Sequence, residues 1–272
     1  MRLKYYGVRG SIPTPGPETI RYGGNTPCVA MWCDDNLLIL DAGTGLRVLG
    51  EELMANAFGK GQGRATILIS HTHWDHIQGF PFFRPAYVEG NTFGLCGVAK
   101  TNKGLETAMH HQQEYRNFPV LLSQMPSRIV FTALEEGGQV NIDGIRISTA
   151  PLHHPGGSCA YRVDFNGRSV VYASDTEHFE NTDLRLLTLC RNADLLIYDT
   201  MYTPAEYQNH RGWGHSTWQE GIALARQANV KALHMFHHQP GHSDDTLEKI
   251  LETAREQFPE IHLAREGWEF TL

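Results

Sequence analysis

A chain of 272 residues with 41% hydrophobic and 10% aromatic side chains can bury a substantial core, which sets aside a disordered or disulfide-stapled class. Its formal charge of −7 argues against a surface built for indiscriminate binding to long nucleic acid, which needs a basic face. No apolar run reaches membrane-span length, MRLKYYGVRG lacks an apolar signal core, and Cys28, Cys33, Cys96, Cys159 and Cys190 form no C-x-x-C pair, so a cytoplasmic protein without membrane contact is expected.

Leu3 to Val8 reads as a first strand, followed by turns over Gly10 to Pro17 and Gly23 to Pro27. Cys28 to Trp32 and Leu37 to Leu40 flank Cys33-Asp34-Asp35-Asn36 as a hairpin. The turn Asp41-Ala42-Gly43-Thr44-Gly45 leads into a helix with Leu46, Leu49 and Leu53 on its apolar face. Ala65 to Ile69 is short, apolar and partly β-branched, as a buried strand should be. Phe80 to Pro85 is aromatic and proline-broken, and reads as a loop packed on the core. Thr92 to Cys96 and Ser127 to Phe131 are further strands, separated by a polar helix over Gly104 to Tyr115 with His110 and His111 in solvent.

A second half begins near Gly138. Val140 to Ile147, Tyr161 to Phe165 and Ser169 to Ala173 read as strands, the last two joined by the hairpin pair Asn166-Gly167. Leu195 to Tyr198 and Ala232 to Phe236 are short buried strands. The helix Thr217 to Ala228 between them has Trp218, Ile222 and Ala225 on one face, and Thr217 and Glu220 at capping-box spacing. Asp244 to Arg255 closes the chain as a helix with Leu247, Ile250, Leu251 and Ala254 inward. No composition break, linker or repeat divides the sequence, so one domain over residues 1–272 is expected.

The chemistry gathers at His71-Thr72-His73-Trp74-Asp75-His76, directly after the strand Ala65 to Ile69. In extended chain residues i and i+2 point the same way, so His71 and His73 can hold one cation, with Asp75 and His76 on the next turn reaching a second. Packed without metal, these polar side chains would be costly to bury and hard to satisfy.

HTHWDH resembles the H-x-H-x-D-H signature of the metallo-β-lactamase-fold hydrolases, and the neighbouring stretches are most similar to that superfamily's phosphodiesterase branch. That branch contains the tRNA 3′-processing endonucleases and the phosphoribosyl cyclic phosphodiesterases. The resemblance implies an α/β protein folded as a four-layer αββα sandwich. It also implies a ligand set spread along the chain: His71, His73 and His154 for one cation, Asp75, His76 and His237 for the other, with Asp175 bridging both. His153 remains the alternative to His154, and His238 the alternative to His237. Imidazole and carboxylate without thiolate suit two divalent ions, zinc first, with manganese or iron as alternatives.

Gly214-His215-Ser216-Thr217 resembles the histidine motif that the tRNA-processing branch carries before its last ligand. It implies that His215 donates a proton to the departing oxygen and that Asp199 orients it, although glutamate is usual at that place. Asp41 is a candidate partner for a ligand imidazole, or an ordinary turn residue. Arg9 is a candidate phosphate contact or a structural turn residue. Trp213, Tyr202 and Tyr207 either stack on a base or pack.

These features predict a metal-dependent phosphodiesterase in which a water ionised by the cation pair, with Asp75 beside it, attacks phosphorus. A small cyclic nucleotide or cyclic phosphate is the expected substrate, since the chain is acidic and shows no long basic Gly/Pro-rich arm. Processing of tRNA 3′ ends, and hydrolysis of thioesters, lactones or β-lactams on the same fold, are the alternatives. A single-iron or flavin-linked oxidoreductase and a metal-stabilised binding module without turnover stand further off. A homodimer is compatible with the resemblance.

Overall fold

The computed structural model of the chain describes residues 1–98 and 104–272. Its first half runs β1 (Arg2–Gly7), β2 (Cys28–Cys33), β3 (Asn36–Leu40), α1 (Gly45–Leu53), β4 (Arg64–Leu68), α2 (Trp74–Ile77), β5 (Thr92–Val98), α3 (Leu105–Gln112) and β6 (Arg128–Leu134). The second half begins with β7 (Gln139–Ile142), β8 (Ile145–Leu152), β9 (Ser158–Phe165), β10 (Arg168–Ala173), α4 (Leu184–Cys190) and β11 (Leu195–Asp199). It ends with α5 (Pro204–Tyr207), α6 (Trp218–Gln227), β12 (Ala232–Phe236), α7 (Asp244–Gln257), β13 (Ile261–Leu263) and β14 (Glu269–Thr271).

Two sheets result, in the orders β14-β1-β2-β3-β4-β5-β6 and β13-β12-β11-β10-β9-β8-β7. Each is antiparallel where hairpins connect its strands and parallel where helices cross over, from β3 to β6 and from β10 to β13. The last strand, β14, returns to pair with β1.

Strand alternation builds the layers. Leu38 and Leu40 of β3 face the second sheet, while Leu37 and Ile39 face outward under α1, so the strand is apolar throughout because both its faces are buried. Leu195 and Ile197 of β11 join the same inter-sheet layer, and Leu196 and Tyr198 face the other way. Leu46, Leu49 and Leu53 of α1 cover the first sheet. Leu186 of α4, Trp218 and Ile222 of α6, and Leu247 and Leu251 of α7 cover the second. The order is helix, sheet, sheet, helix, the αββα sandwich expected from the motifs. The closing helices are capped as their sequences imply: the Ser243 hydroxyl accepts from Thr246 N, and the Thr217 hydroxyl accepts from Glu220 N.

Two local expectations change, and four short elements were not foreseen. Val140 to Ile147 is a hairpin rather than one strand, because Asp143 and Gly144 take left-handed φ values of 51° and 83° and turn the chain between β7 and β8. Phe80 to Pro85 winds into two 3-10 turns, Phe80–Phe82 and Arg84–Tyr87, which bury Phe80 and Phe83 while Phe82 leans on Phe118. The short pieces α4, α5, β13 and β14 carry too few residues to show a period.

At the edge of the inter-sheet layer His234 accepts the Tyr5 hydroxyl on Nδ1 at 2.6 Å, and its ring stacks on Trp268 at 4.5 Å. Burial, with His262 adding to it, pushes this imidazole down to about 3. The folded ring is therefore neutral, whereas the unfolded chain takes up a proton near pH 6.5. Below about pH 6.5 the unfolded state binds the extra proton, and stability falls by up to about 1.4 kcal/mol per pH unit until the folded ring titrates. His234→Gln is expected to cost about 1–3 kcal/mol at neutral pH through lost packing. That gap should narrow as pH drops from about 6.5 to about 4, read from urea denaturation at each pH.

Candidate metal centre

Strand ends build the site, and the local backbone at three of them is unusual. Asp41 after β3, Asp175 after β10 and His237 after β12 hold left-handed φ values of 59°, 59° and 61°. Non-glycine residues in this region cost about 1–3 kcal/mol and persist only where surroundings over-determine them. Here the strain turns each side chain back across the strand ends toward a common point.

The structure brings seven side chains together there in two groups. His71, His73 and His154 form one, and Asp75, His76, Asp175 and His237 the other, with ligand atoms in each within 4.8 Å of one another. Asp175 Oδ1 lies 3.8 Å from His71 Nε2 and 3.8 Å from His154 Nε2. Its Oδ2 lies 3.1 Å from His76 Nε2 and 3.3 Å from His237 Nε2. One carboxylate thus faces both groups, one oxygen to each. Asp75 Oδ2 is 3.2 Å from both His76 Nε2 and His237 Nε2, and accepts Ser11 N–H at 2.9 Å.

Partners behind the cluster aim its rings. Asp41 is fully buried and faces His76 Nδ1 at 2.7 Å through Oδ2, which also accepts the hydroxyls of Ser70 at 2.8 Å and Tyr172 at 2.7 Å. With Nδ1–H held by Asp41, the Nε2 lone pair of His76 points into the cluster. His154 does the same by giving Nδ1–H to the Gly214 carbonyl at 2.9 Å, which leaves Nε2 facing His73 Nδ1 at 3.0 Å.

These residues fit a pair of cations. His71 Nε2 is buried without a hydrogen-bond partner, an arrangement that costs about 1–3 kcal/mol unless something else meets the lone pair. Burial and the neighbouring His76 hold His71 well below its ordinary value, so it offers a neutral, ligating ring. Burial opposes charge on His76 as well, but Asp175, Asp75 and Asp41 overcome it and raise this ring well above the usual range. Asp175 is buried too, yet His237, His76 and His71 keep it ionised. In the protein alone the imidazoles supply the positive charge that the two carboxylates demand, the role a cation would take.

Beside the cluster stands a second pair. His215 Nδ1 lies 2.8 Å from Asp199 Oδ2 and 3.9 Å from Asp175 Oδ1. Asp199 is fully buried at the end of β11, and its carboxylate also accepts Met201 N–H at 3.0 Å and Thr176 N–H at 3.3 Å. Burial pulls His215 down, but Asp199, then Asp175 and Asp75, outweigh it and raise the ring to about 9. His215 lines an open cleft with Ser11, Thr72, His73, Trp74, Asp75 and Asp175.

The alternatives in the sequence separate cleanly. His153 points away from the cluster to Asp183, at 3.2 Å, and His238 Nε2 faces the Ala264 carbonyl at 2.8 Å. Arg9 is not free for phosphate: it is fully buried and donates to the carbonyls of Gly23, Gln239 and His242. Tyr202 and Tyr207 pack as buried residues, and Trp213 is exposed against His210, outside the cleft lining. Three residues in the network went unnoticed in the sequence: Ser70, Tyr172 and Glu177. Glu177 accepts Gly212 N–H at 2.7 Å, Gly214 N–H at 3.0 Å and the Tyr207 hydroxyl at 3.0 Å, so it fixes the loop that carries both His215 and the carbonyl orienting His154. Its place two residues after Asp175 was the one available signal.

Residues 36–238 match the model of the β-lactamase superfamily domain, and the chain belongs to that superfamily. Within it the protein is a metal-dependent hydrolase. Over 100% of this chain it is 27% identical to a ribonuclease Z of Thermoplasma acidophilum, covering 96% of that protein. The human tRNase Z short form shares the fold with a TM-score of 0.71, at 18% identity over 100% of this chain and 99% of that one. A diphosphatase of the PhnP family does so with a TM-score of 0.68, at 20% identity over 99% of this chain and 97% of that one. Among the described residues, no helix is long and apolar enough to cross a membrane.

Because Asp175 serves both groups, its loss should affect both. Protein reloaded with zinc or manganese is expected to hold about two ions per chain, and Asp175→Ala fewer than one, as measured by elemental analysis after desalting. His153→Ala is expected to keep the parent's stoichiometry.

Proposed function

We propose that the protein cuts phosphodiester bonds in RNA, in the manner of a ribonuclease Z acting at tRNA 3′ ends, with His71, His73, Asp75, His76, His154, Asp175 and His237 holding two divalent ions, zinc first. The observation that carries this reading is the His215–Asp199 pair, a proton donor held in place beside a cluster able to take two cations. Thioester or lactone hydrolysis on this fold has no need of that pair. The full-length similarity to ribonuclease Z supports RNA over the small cyclic substrate expected from the acidic composition.

The chain's own groups divide the work. Cations bound by the cluster supply Lewis acidity to the phosphate and lower the pKa of a bound water toward about 7. Asp175 turns one oxygen to each group and so would serve both cation sites. Asp75, kept ionised by His76 and His237 and anchored by Ser11 N–H, would orient the attacking hydroxide by accepting its hydrogen bond, and that proton stays on the phosphomonoester as the oxygen bonds to phosphorus. His215 keeps its Nδ1–H on Asp199 and delivers the proton on Nε2 to the departing oxygen as the old P–O bond breaks, leaving an alcohol and a phosphomonoester. Asp199 stays in register because two backbone N–H groups hold it.

His215→Ala is expected to lower kcat on phosphodiesters by about 10²–10⁴ with metal content unchanged. The donor must be protonated, and its raised value means activity falls as pH climbs through the His215 titration. Cations beside the ring lower that value, so the alkaline limb should lie at or below about pH 9 and vanish in the variant, as read from kcat against pH.

The charge of −7 favours a small cyclic phosphodiester as the second reading. Unprocessed tRNA, cyclic nucleotides and phosphoribosyl cyclic phosphate assayed side by side should give the highest kcat/KM for the tRNA. An intact tRNA precursor beside a hydrolysed cyclic phosphate would hand the assignment to the second reading.

A further inference from the structure

Building on the phosphodiesterase reading, we propose that Trp74 is the stacking surface for a nucleobase of the substrate. It lines the cleft with Ser11, Thr72, His73, Asp75, Asp175 and His215, and it is the one large apolar ring in an otherwise polar wall. Its neighbours in sequence, His73 and Asp75, belong to the metal cluster, so the indole is tied within one residue of the reacting centre. The backbone there is held by His76 N–H on the His73 carbonyl at 3.0 Å and Gln78 N–H on the Trp74 carbonyl at 2.8 Å.

Trp74 is 83% exposed, the highest among the large hydrophobic side chains left in solvent. Other exposed aromatics have company: Phe82 meets Phe118 at 5.3 Å, Phe179 meets His153 at 4.8 Å, Trp213 meets His210 at 4.9 Å, and the Tyr115 hydroxyl accepts from Gln124. Among the described residues the Trp74 ring rests on no other ring and carries no cation. An indole left in water gives up the free energy that burial or stacking would return, and it adds nothing to the core from a four-residue helix. A phosphate held at the cluster carries a nucleoside past this ring. Base–aromatic stacking is worth about 1–3 kcal/mol and tolerates any base.

The test compares two esters with the same leaving group, thymidine 5′-(p-nitrophenyl phosphate) and methyl p-nitrophenyl phosphate, on metal-loaded protein. In W74A the ratio of kcat/KM for the nucleoside ester over the methyl ester should fall by roughly 5- to 140-fold, mostly through KM. Trp74→Phe should restore most of the ratio. Independently of turnover, AMP should quench the indole emission of the parent and quench W74F much less, against a background of four other tryptophans. An unchanged ratio in W74A, or equal quenching of parent and W74F, overturns the proposal. If the parent hydrolyses neither ester, the phosphodiesterase reading is what fails, and the AMP measurement still decides whether Trp74 stacks a base.

Discussion

A buried carboxylate must be compensated, and Asp175 concentrates that constraint in this protein. It is almost fully removed from water, next to a second buried carboxylate at Asp75, with five imidazoles of the two groups around the pair. Burial alone would protonate such a group. Neighbouring rings keep it ionised instead, and its two oxygens look in different directions, one to each group. Everything else in the site serves to hold those rings where Asp175 needs them.

Holding them requires the whole sandwich. The groups that meet the cluster leave the ends of β3, β4, β8, β10 and β12, which belong to both sheets and are brought together by the apolar layer between them. Strand ends in open α/β sheets are the natural place for such convergence, since the chain is released there while the sheet keeps it rigid. Left-handed backbone at Asp41, Asp175 and His237 is the local cost of that geometry. The Tyr172 and Ser70 hydroxyls on Asp41 satisfy a carboxylate that reaches no cation yet sets the angle of His76.

Two electrostatic environments lie side by side. Within the cluster His71 is kept neutral by burial, as a ligand must be, whereas His215 is kept charged by Asp199, as a proton donor must be. Environments that push similar groups apart in this way separate acid from ligand within one cleft. Glu177 couples the two, because the loop it clamps carries His215 and also presents the Gly214 carbonyl to His154.

The residues of the cluster were legible in the sequence because several lie within six positions and the rest follow strands in the order the family motifs prescribe. Individual strands and helix faces were legible too, since both-face burial leaves continuous apolar strands and one-face burial leaves helical stripes, whereas the order of the layers came from the family resemblance. Turn chemistry was read less well: Asp143-Gly144 separates the apolar pair Val140 and Ile142 from Ile145 and Ile147, a change of phase that marks the turn within what read as one strand. Contacts between distant positions leave little local trace: Ser70, Tyr172 and the commitment of Arg9 to backbone carbonyls emerged only in three dimensions, and Glu177 had only its place two residues after Asp175 to mark it. Within each histidine doublet the resemblance favoured His154 and His237, and the tertiary structure supplied the physical reason. Adjacent residues at a strand end point to opposite sides, and the packing of His153 toward Asp183 and of His238 under Ala264 shows which member of each pair faces the cluster.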